Sequence, residues 1–592
     1  MPIREAKDFV SGSLTFCEDM WKEILRGHPR EEQMLGWIRD GVKVEPFLNP
    51  DARGSYKGIS FKGPVPQRRA FKNNIPDEFV PWVREEIQDW LKKGCAMPWD
   101  PVLFGSEQPE LILPLGVEPS KPRLIYDARW LNLFCKEYRF TLDSVEKAGA
   151  LAWQGCFMAS IDLKSAYHHI KLCPSSFRYF GFSFENVVYV FTTLCFGWSL
   201  APYIFQSFSD AIAGYCRRLL RHIGLLIYLD DSWMTGDRRA RQLGMEAEFR
   251  SCNLSTFVFG SILFHAGFFI NIDKSVLRPE LLIRFLGINV DSRECRFWVP
   301  EDRIQKLMAQ VQTALQSGWV SFQELEKIIG RCVSMSVAVR CAMLYVREMY
   351  KCLLPFLRGR GRSFAPRELR EELSMWLNLP SSLINGSPWP GTRVWDLRVE
   401  GSTDASSRRW GGVGRSVGSC SSSEGNETFV AAGDFSEEEA RLHIAEKEVL
   451  ALVRVFKGFL EQRPKSETEG ALFSFKCDSQ VVVHIYNNGG SNHQATITRA
   501  CKDLFLLQLQ YNCSLRLTWI PTGDNKIADD LTREDSSSDV MLANWVFLWL
   551  CREFRYDCDV DTMASAANVQ RDGQGLPLAF YSRYYNEGCA GV

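Results

Sequence analysis

No Cys-x-x-Cys pair occurs among the 19 cysteines, which are scattered singly. A zinc ribbon or dithiol redox motif is therefore excluded, and a reducing, intracellular setting fits better than a disulfide framework. Charge of one sign is also lacking. Lys plus Arg number 70 against 71 for Asp plus Glu, a formal net charge of −1. No global basic field announces a nucleic-acid partner, although a basic groove offset by acids elsewhere stays open. Arg4, Glu5, Lys7 and Asp8 stand at the start with no apolar run behind them, so no secretory signal is visible. One stretch, 253–272, lacks Asp, Glu, Lys and Arg and is about long enough to cross a bilayer. Its Asn253, Ser255, Thr256, Ser261, His265 and Asn271 instead predict a buried helix, a turn at Gly267 and a strand, and no membrane partner is expected. No internal repeat is present.

What the chain does have is length and apolar residues. Its 592 residues, 46% hydrophobic and 24% charged, allow roughly three or four domains with sizeable cores. Residues 1–75, with Gly and Pro clusters, read as an irregular lead-in. Phe79, Val83, Ile87, Trp90 and Leu91 fall at helical spacing and stop at Gly94. Residues 157–161 are a short apolar run ending at Asp162. Residues 179–193 predict two strands with a turn near Glu185-Asn186, and 200–221 a helix. Leu225–Leu229 is an apolar strand ending in Asp230-Asp231. Residues 301–356 predict two or three helices. Residues 357–397, rich in Arg, Pro and Gly, read as a tether. A new α/β pattern covers 398–535, and a tail covers 536–592. The basic clusters Arg217-Arg218 with Arg221-His222, and Arg358 to Arg362, read as solvated faces.

The acids at strand ends carry the chemistry. Neighbouring side chains in a plain strand point to opposite faces, so Asp230 and Asp231 converge only in a tight turn. Two carboxylates about 4 Å apart repel by roughly 4 kcal/mol at an intermediate dielectric. Such a cluster is tolerated where hard cations sit, because Mg²⁺ takes oxygen ligands and commonly one or two carboxylates with substrate phosphates. For the dipeptide alone a plain turn is the commoner reading, and the surrounding motifs reverse it.

Those motifs are Ile161-Asp162-Leu163-Lys164-Ser165-Ala166-Tyr167-His168, then Phe196-Gly197-Trp198-Ser199-Leu200-Ala201-Pro202-Tyr203-Ile204-Phe205-Gln206, then Tyr228-Leu229-Asp230-Asp231, then Phe285-Leu286-Gly287. In this order they resemble the reverse transcriptase family over roughly 75–355. The resemblance implies an α+β right-hand polymerase, with fingers and palm over 76–300 and thumb or connection helices over 301–356. It implies that Asp162, Asp230 and Asp231 are catalytic and hold two Mg²⁺ ions, with Mn²⁺ as an alternative. Tyr167 matches the aromatic gate that crowds a ribose 2′-hydroxyl. Arg123 matches the triphosphate-binding arginine, a task suited to a permanently charged fork. Phe196 and Gly197 would line the nucleotide and template pocket, and Phe285-Leu286-Gly287 would be the primer grip. Lys274 matches a lysine that protonates departing pyrophosphate, and equally a plain surface lysine. Arg129 and Asn132 read as structural. The chain departs from the family in Cys195-Phe196 before Gly197, where Pro or Gln is usual, and in a thin basic fingers motif, Lys121 and Arg123.

A second set of acids follows. Asp404 sits after a short strand, Glu448 at a helix start, Asp478 at the end of a strand over 472–477, and Asp529 in Asn525-Lys-Ile-Ala-Asp-Asp-Leu-Thr-Arg533. Singly each reads as a surface acid or a cap. Together they resemble ribonuclease H, an α/β domain whose four carboxylates hold two cations. Glu446 and Asp530 are near decoys. The segment 519–525 lacks the histidine that the family often carries there.

These resemblances imply an RNA-directed DNA polymerase with ribonuclease H activity. Its partners would be an RNA template, a DNA primer, RNA–DNA hybrid and deoxynucleoside triphosphates. The alternative is a non-catalytic, domesticated nucleic-acid-binding protein. No Asp-Thr/Ser-Gly protease motif and no integrase His/Cys cluster is visible. Gly36-Trp37-Ile38-Arg39-Asp40-Gly41, the tail segment 560–568 and Phe580-Tyr-Ser-Arg583 resemble DIRS-like retrotransposons, with Gypsy-like or pararetroviral elements as alternatives.

Overall fold

The computed structural model describes residues 3–119, 122–357, 362–364, 367–378, 386–389, 397–418, 428–463, 468–533, 543–554, 560–561, 574 and 579–580. It divides into two compact units, one of residues 1–305 with 337–339 and 380–393, the other of 306–336, 340–379 and 394–592.

The first unit corrects the expectation of an irregular lead-in. Helices α1 (Glu18–Leu25) and α2 (Glu31–Asp40) form there. Helices of eight and ten residues are marginal alone, and tertiary contacts hold them. Trp21, Met34 and Trp37 are buried. The Trp21 indole donates to Ala266 O at 3.0 Å, and its ring meets Phe208 edge-on at 5.0 Å. Val42 is threaded between Lys171 and Cys173 by two main-chain hydrogen bonds of 2.9 Å. Next comes α3 (Val80–Lys93), closed by Gly94 at φ 74°. A five-stranded sheet follows, whose hairpin Gly181–Phe184 and Val187–Phe191 turns through Glu185 and Asn186 at φ 48° and 64°.

The palm is a four-stranded sheet of β1 (Met158–Asp162), β2 (Ile223–Tyr228), β3 (Asp231–Asp237) and β4 (Val276–Glu280), in the order β2-β3-β1-β4 with every pair antiparallel. Helices α4 (Ala201–Leu219) and α5 (Met245–His265) pack on it. The stretch without charge is thus mostly α5. The turn at Gly267 forms at φ 95°, but Ile270 makes only isolated bridges to Glu5 and Leu163, and the strand starts at Val276. Among the described residues no helix is long and apolar enough to cross a membrane. Arg217 and Arg218, read as a solvated face, are exposed anchors, donating to Leu225 O at 2.6 Å and Ile24 O at 3.0 Å. The expected primer-grip segment is the turn of the hairpin Leu282–Phe285 and Ile288–Asp291, with Leu286 at φ 48° and Gly287 at φ 77°.

In the second unit the stretch read as a tether holds a helix, α6 (Arg367–Leu377). Its Trp376 indole donates to Tyr345 O at 2.8 Å. Its buried Glu372 accepts from Met349 N at 3.1 Å and from Lys502 Nζ at 3.3 Å. Arg347, in the last of the helices expected over 301–356, donates to Gly489 O and Asn488 O at 2.9 and 2.7 Å. Most of the residues expected to form the thumb, and the helical part of the expected tether, therefore belong to the same unit as the downstream sheet, while 301–305, 337–339 and 380–393 belong to the first unit. That sheet contains β5 (Leu397–Ala405), β6 (Arg409–Gly418), β7 (Thr428–Asp434), β8 (Leu472–Cys477) and β9 (Ser514–Trp519), in the order β7-β6-β5-β8-β9. β7, β6 and β5 pair antiparallel, while β5, β8 and β9 pair parallel. Helices α7 (Ile444–Glu461) and α8 (Ala495–Gln510) pack together, and α9 (Lys526–Thr532) lies against β5 and β6. Residues 358–361 of the Arg run, Lys121 and most of the tail motif lie outside the described residues.

Candidate catalytic centres

Asp231 stands opposite Asp162 in the β3–β1 register, and Tyr228 opposite Asp231 across the β2–β3 hairpin. The two-residue turn is Leu229, at φ 52°, and Asp230. This left-handed residue breaks strand alternation and lets adjacent acids share one side of the sheet end. Burial raises the Asp230 carboxyl, and Asp162 raises it further. Asp231 is pushed up to about 6, first by burial and then by Asp230 and Asp162. Lys274, exposed in the turn before β4, opposes both shifts. The carboxylate oxygens of the three acids do not all lie within 4.8 Å of one another.

Side chains that sequence reasoning gave no role brace this turn. Gln206, on the buried face of α4, accepts from Leu229 N at 2.9 Å and donates to Asp210 Oδ1 at 2.8 Å. The Ser209 hydroxyl donates to Leu229 O at 3.1 Å. Asp162 N donates to Ser275 Oγ at 3.0 Å, and Leu163 N to Asp230 O at 3.1 Å. The available signal was the amide and hydroxyls on the inner face of an otherwise apolar helix, Gln206 being 2% exposed.

Tyr167 follows the left-handed Ser165 (φ 53°) in a short 3-10 turn, Ala166–His169. Its ring lies 4.7 Å from Phe196 and 5.7 Å from Phe205. Burial raises its hydroxyl pKa most, with Asp230 and Tyr228 adding to it. Phe196 is 56% exposed, so the pair forms a wall with an open face. Gly197 has φ 102°, and a Cβ there would sit 2.1 Å from Tyr126 O, which no other residue allows. Asn132 spans this loop, donating to Gly197 O and accepting from Ser199 N, both at 2.9 Å. Arg129 is held by Asp127 at 2.8 and 2.6 Å. Asn132 and Arg129 both take the structural part expected of them. Arg123 is exposed at the start of the strand Arg123–Tyr126, opposite Glu118.

In the second unit Asp404 lies on β5, Glu448 on α7, Asp478 just past β8 and Asp529 on α9. Asp404 is pushed up to about 6, mainly by burial, with Asp478 and Asp529 adding; the Thr532 hydroxyl, donating at 2.8 Å, opposes this. Glu448 is pushed up to about 9 by burial, then by Asp404 and Asp478. Asp404 is thus the acid that interacts with each of the other three. Among the described residues one group of possible metal ligands has donor atoms all within 4.8 Å, namely Glu448, Cys477 and Asp478. The decoys separate by geometry. Glu446 closes the N-terminus of α7, accepting from His443 N at 3.2 Å, whereas Glu448 points to the acids. Asp530 is exposed, while Asp529 is half-buried and paired with Arg533. Asn525 donates to Thr403 O at 3.0 Å, tying α9 to β5.

Residues 118–290 match the family model for reverse transcriptase (RNA-dependent DNA polymerase). That span contains Arg123, Asp162, Tyr167, Phe196, Gly197, Asp230, Asp231 and Lys274, and none of the downstream acids. The chain is 23% identical over 483 residues to the putative enzymatic polyprotein of Cassava vein mosaic virus, covering 79% of this chain and 65% of that one. It is 26% identical over 171 residues to Protein P of Duck hepatitis B virus (strain China), covering 29% of this chain and 20% of that protein. A solved foamy viral protease-reverse transcriptase in complex with RNA/DNA hybrid aligns with 89% of this chain and 66% of its own, at 15% identity and a TM-score of 0.44.

Proposed function

We propose that this chain, with its reverse transcriptase domain over 118–290, is an RNA-directed DNA polymerase joined to a ribonuclease that cleaves the RNA of RNA–DNA hybrids. The observation that carries the reading is the meeting of Asp162 and Asp231 in register beside the Leu229-Asp230 turn. The donors fit hard divalent cations. They are carboxylate oxygens, and burial and like charge raise Asp230 and Asp231, a shift that a cation would reverse. Bound there, two Mg²⁺ ions, or Mn²⁺, would activate a primer 3′-hydroxyl and neutralise charge on the departing pyrophosphate.

The remaining roles fall to this chain's side chains. Arg123 forks onto the triphosphate of an incoming deoxynucleotide. The Tyr167–Phe196 wall crowds a ribose 2′-hydroxyl. Lys274, within electrostatic reach of Asp230 and Asp231, supplies a proton to pyrophosphate. Asp404, Glu448, Asp478 and Asp529 hold the cations of the ribonuclease. RNA template, DNA primer and hybrid are the partners. We read the element of origin as DIRS-like on residues 36–41 and the tail motif, while both curated relatives named above are viral proteins.

The test is Mg²⁺-dependent primer extension on an RNA template, and cleavage of labelled RNA in hybrid, for wild type, Asp230→Asn and Asp478→Asn. Each substitution should abolish one activity and spare the other. Wild-type protein that extends no primer while a control enzyme does sinks the proposal.

A further inference from the structure

At the end of the β2–β3 hairpin away from Asp230, the first unit holds a cavity of about 540 Å³ lined by His222, Gly224, Arg238, Arg239, Arg241 and Gln242, with Ala150 and Leu151 behind. The backbone makes the space. The register slips between Ile223 and Leu225, where Thr235 and Gly236 of β3 stand opposite the single residue Gly224 of β2, a bulge on β3. A Cβ at Gly224 would come within 3.0 Å of Thr235 Oγ1 and 3.2 Å of Leu151 Cβ. His222 is left-handed at φ 67°, and its carbonyl accepts from Arg238 N at 3.1 Å.

The arginines sit on one 3-10 helix, Arg238–Leu243. Three residues per turn eclipse positions i and i+3, so Arg238 and Arg241 project from the same face, both exposed. Asp237, the cap of that helix, is engaged by Arg239 at 2.6 Å. Among the described residues neither Arg238 nor Arg241 has a carboxylate within 4.0 Å. His222 adds a third donor beside Asp237. Like charges stacked on one helix face are destabilising, and the compensating group is an anion with several oxygens.

We propose that this cavity binds phosphate groups, a site separate from the acidic centre of the same unit. At about 3.3 Å per residue along β2 it lies roughly 20 Å from the catalytic turn. The phosphates come either from a free polyphosphate or from the backbone of a nucleic-acid strand leaving the palm.

The experiment uses the full chain and an Arg238→Gln/Arg241→Gln double variant, with Arg238→Lys/Arg241→Lys as the charge-keeping control and thermal melting to check folding. Inorganic tripolyphosphate binding is read by calorimetry, and binding of a labelled single-stranded oligonucleotide by anisotropy across salt. The Gln pair should bind at least one probe tenfold more weakly, the Lys pair should retain most affinity, and extension at saturating template should stay within twofold of wild type. Loss confined to tripolyphosphate identifies a free ligand. Loss on the oligonucleotide, with a salt slope shallower by about one to two, identifies a strand. Unchanged affinity for both probes, or equal loss in the Lys and Gln pairs, overturns the proposal.

Discussion

Asp231 faces Asp162 directly across the β3–β1 pair, so the sheet end concentrates negative charge that no strand pairing requires. Without a divalent cation this arrangement opposes folding. The folded pKa of Asp231, about 6, lies above the ordinary carboxylate value. Stability present when the group is protonated is therefore lost as pH rises through about 6. Above pH ~7 in a chelator, Asp231→Asn should melt a few degrees higher than wild type, and added Mg²⁺ should stabilise wild type but not the variant. A metal-free Asp231→Asn that melts lower would refute the electrostatic account. Extension by the same variant should fall at least a hundredfold.

Removing the Tyr167 ring should widen the pocket at the sugar. Tyr167→Ala is expected to raise ribonucleotide incorporation relative to deoxynucleotide by tenfold or more, read as the ratio of kcat/KM values. An unchanged ratio would remove Tyr167 from the gate.

Gly197→Ala should fail as a fold defect before it fails as a catalytic one. Its Cβ would meet Tyr126 O at 2.1 Å with the backbone at φ 102°, which predicts a loss of about 3 kcal/mol or more in denaturant titration. A soluble Gly197→Ala of wild-type stability would contradict the geometry.

His169 sets an acid limit on the palm. Its Nε2 accepts from Phe269 N at 3.0 Å, so Nδ1 carries the hydrogen and donates to Ala166 O at 3.0 Å. Burial pushes this imidazole down to about 3 and the neighbouring His168 to about 4. The unfolded chain takes up these protons near pH 6.5 and the folded one does not, so stability falls as pH drops from about 6.5 toward 4. His169→Leu should cost about 1–3 kcal/mol at neutral pH by orphaning Phe269 N–H, yet lose less between pH 7 and 5 than wild type. Parallel pH profiles would show that another group sets the limit.

The parts legible in the sequence were those where period and turn chemistry agree. The apolar run into Asp162, the hairpin around Glu185-Asn186, the strand before Asp230 and the helix stopped by Gly94 all satisfy local rules. The illegible parts depend on distant partners. α2 reads Glu-Glu-Gln-Met-Leu-Gly-Trp-Ile-Arg-Asp, with a Gly and four acids or bases at its ends, and its burial of Trp37 is invisible without the palm. α6 was hidden in the same way, because Glu372 finds Lys502 at a separation of 130 residues. The acids of the second unit showed in order and type. Glu446, a near decoy of Glu448 in the sequence, caps α7 in three dimensions.

The indole of Trp21 and its acceptor at Ala266 are 245 residues apart, and this has a consequence for synthesis. Translation at about 5–20 residues per second leaves the first two helices waiting on the order of 10–50 seconds for the segment that receives them. During that interval two tryptophans and a methionine stand exposed on the nascent chain.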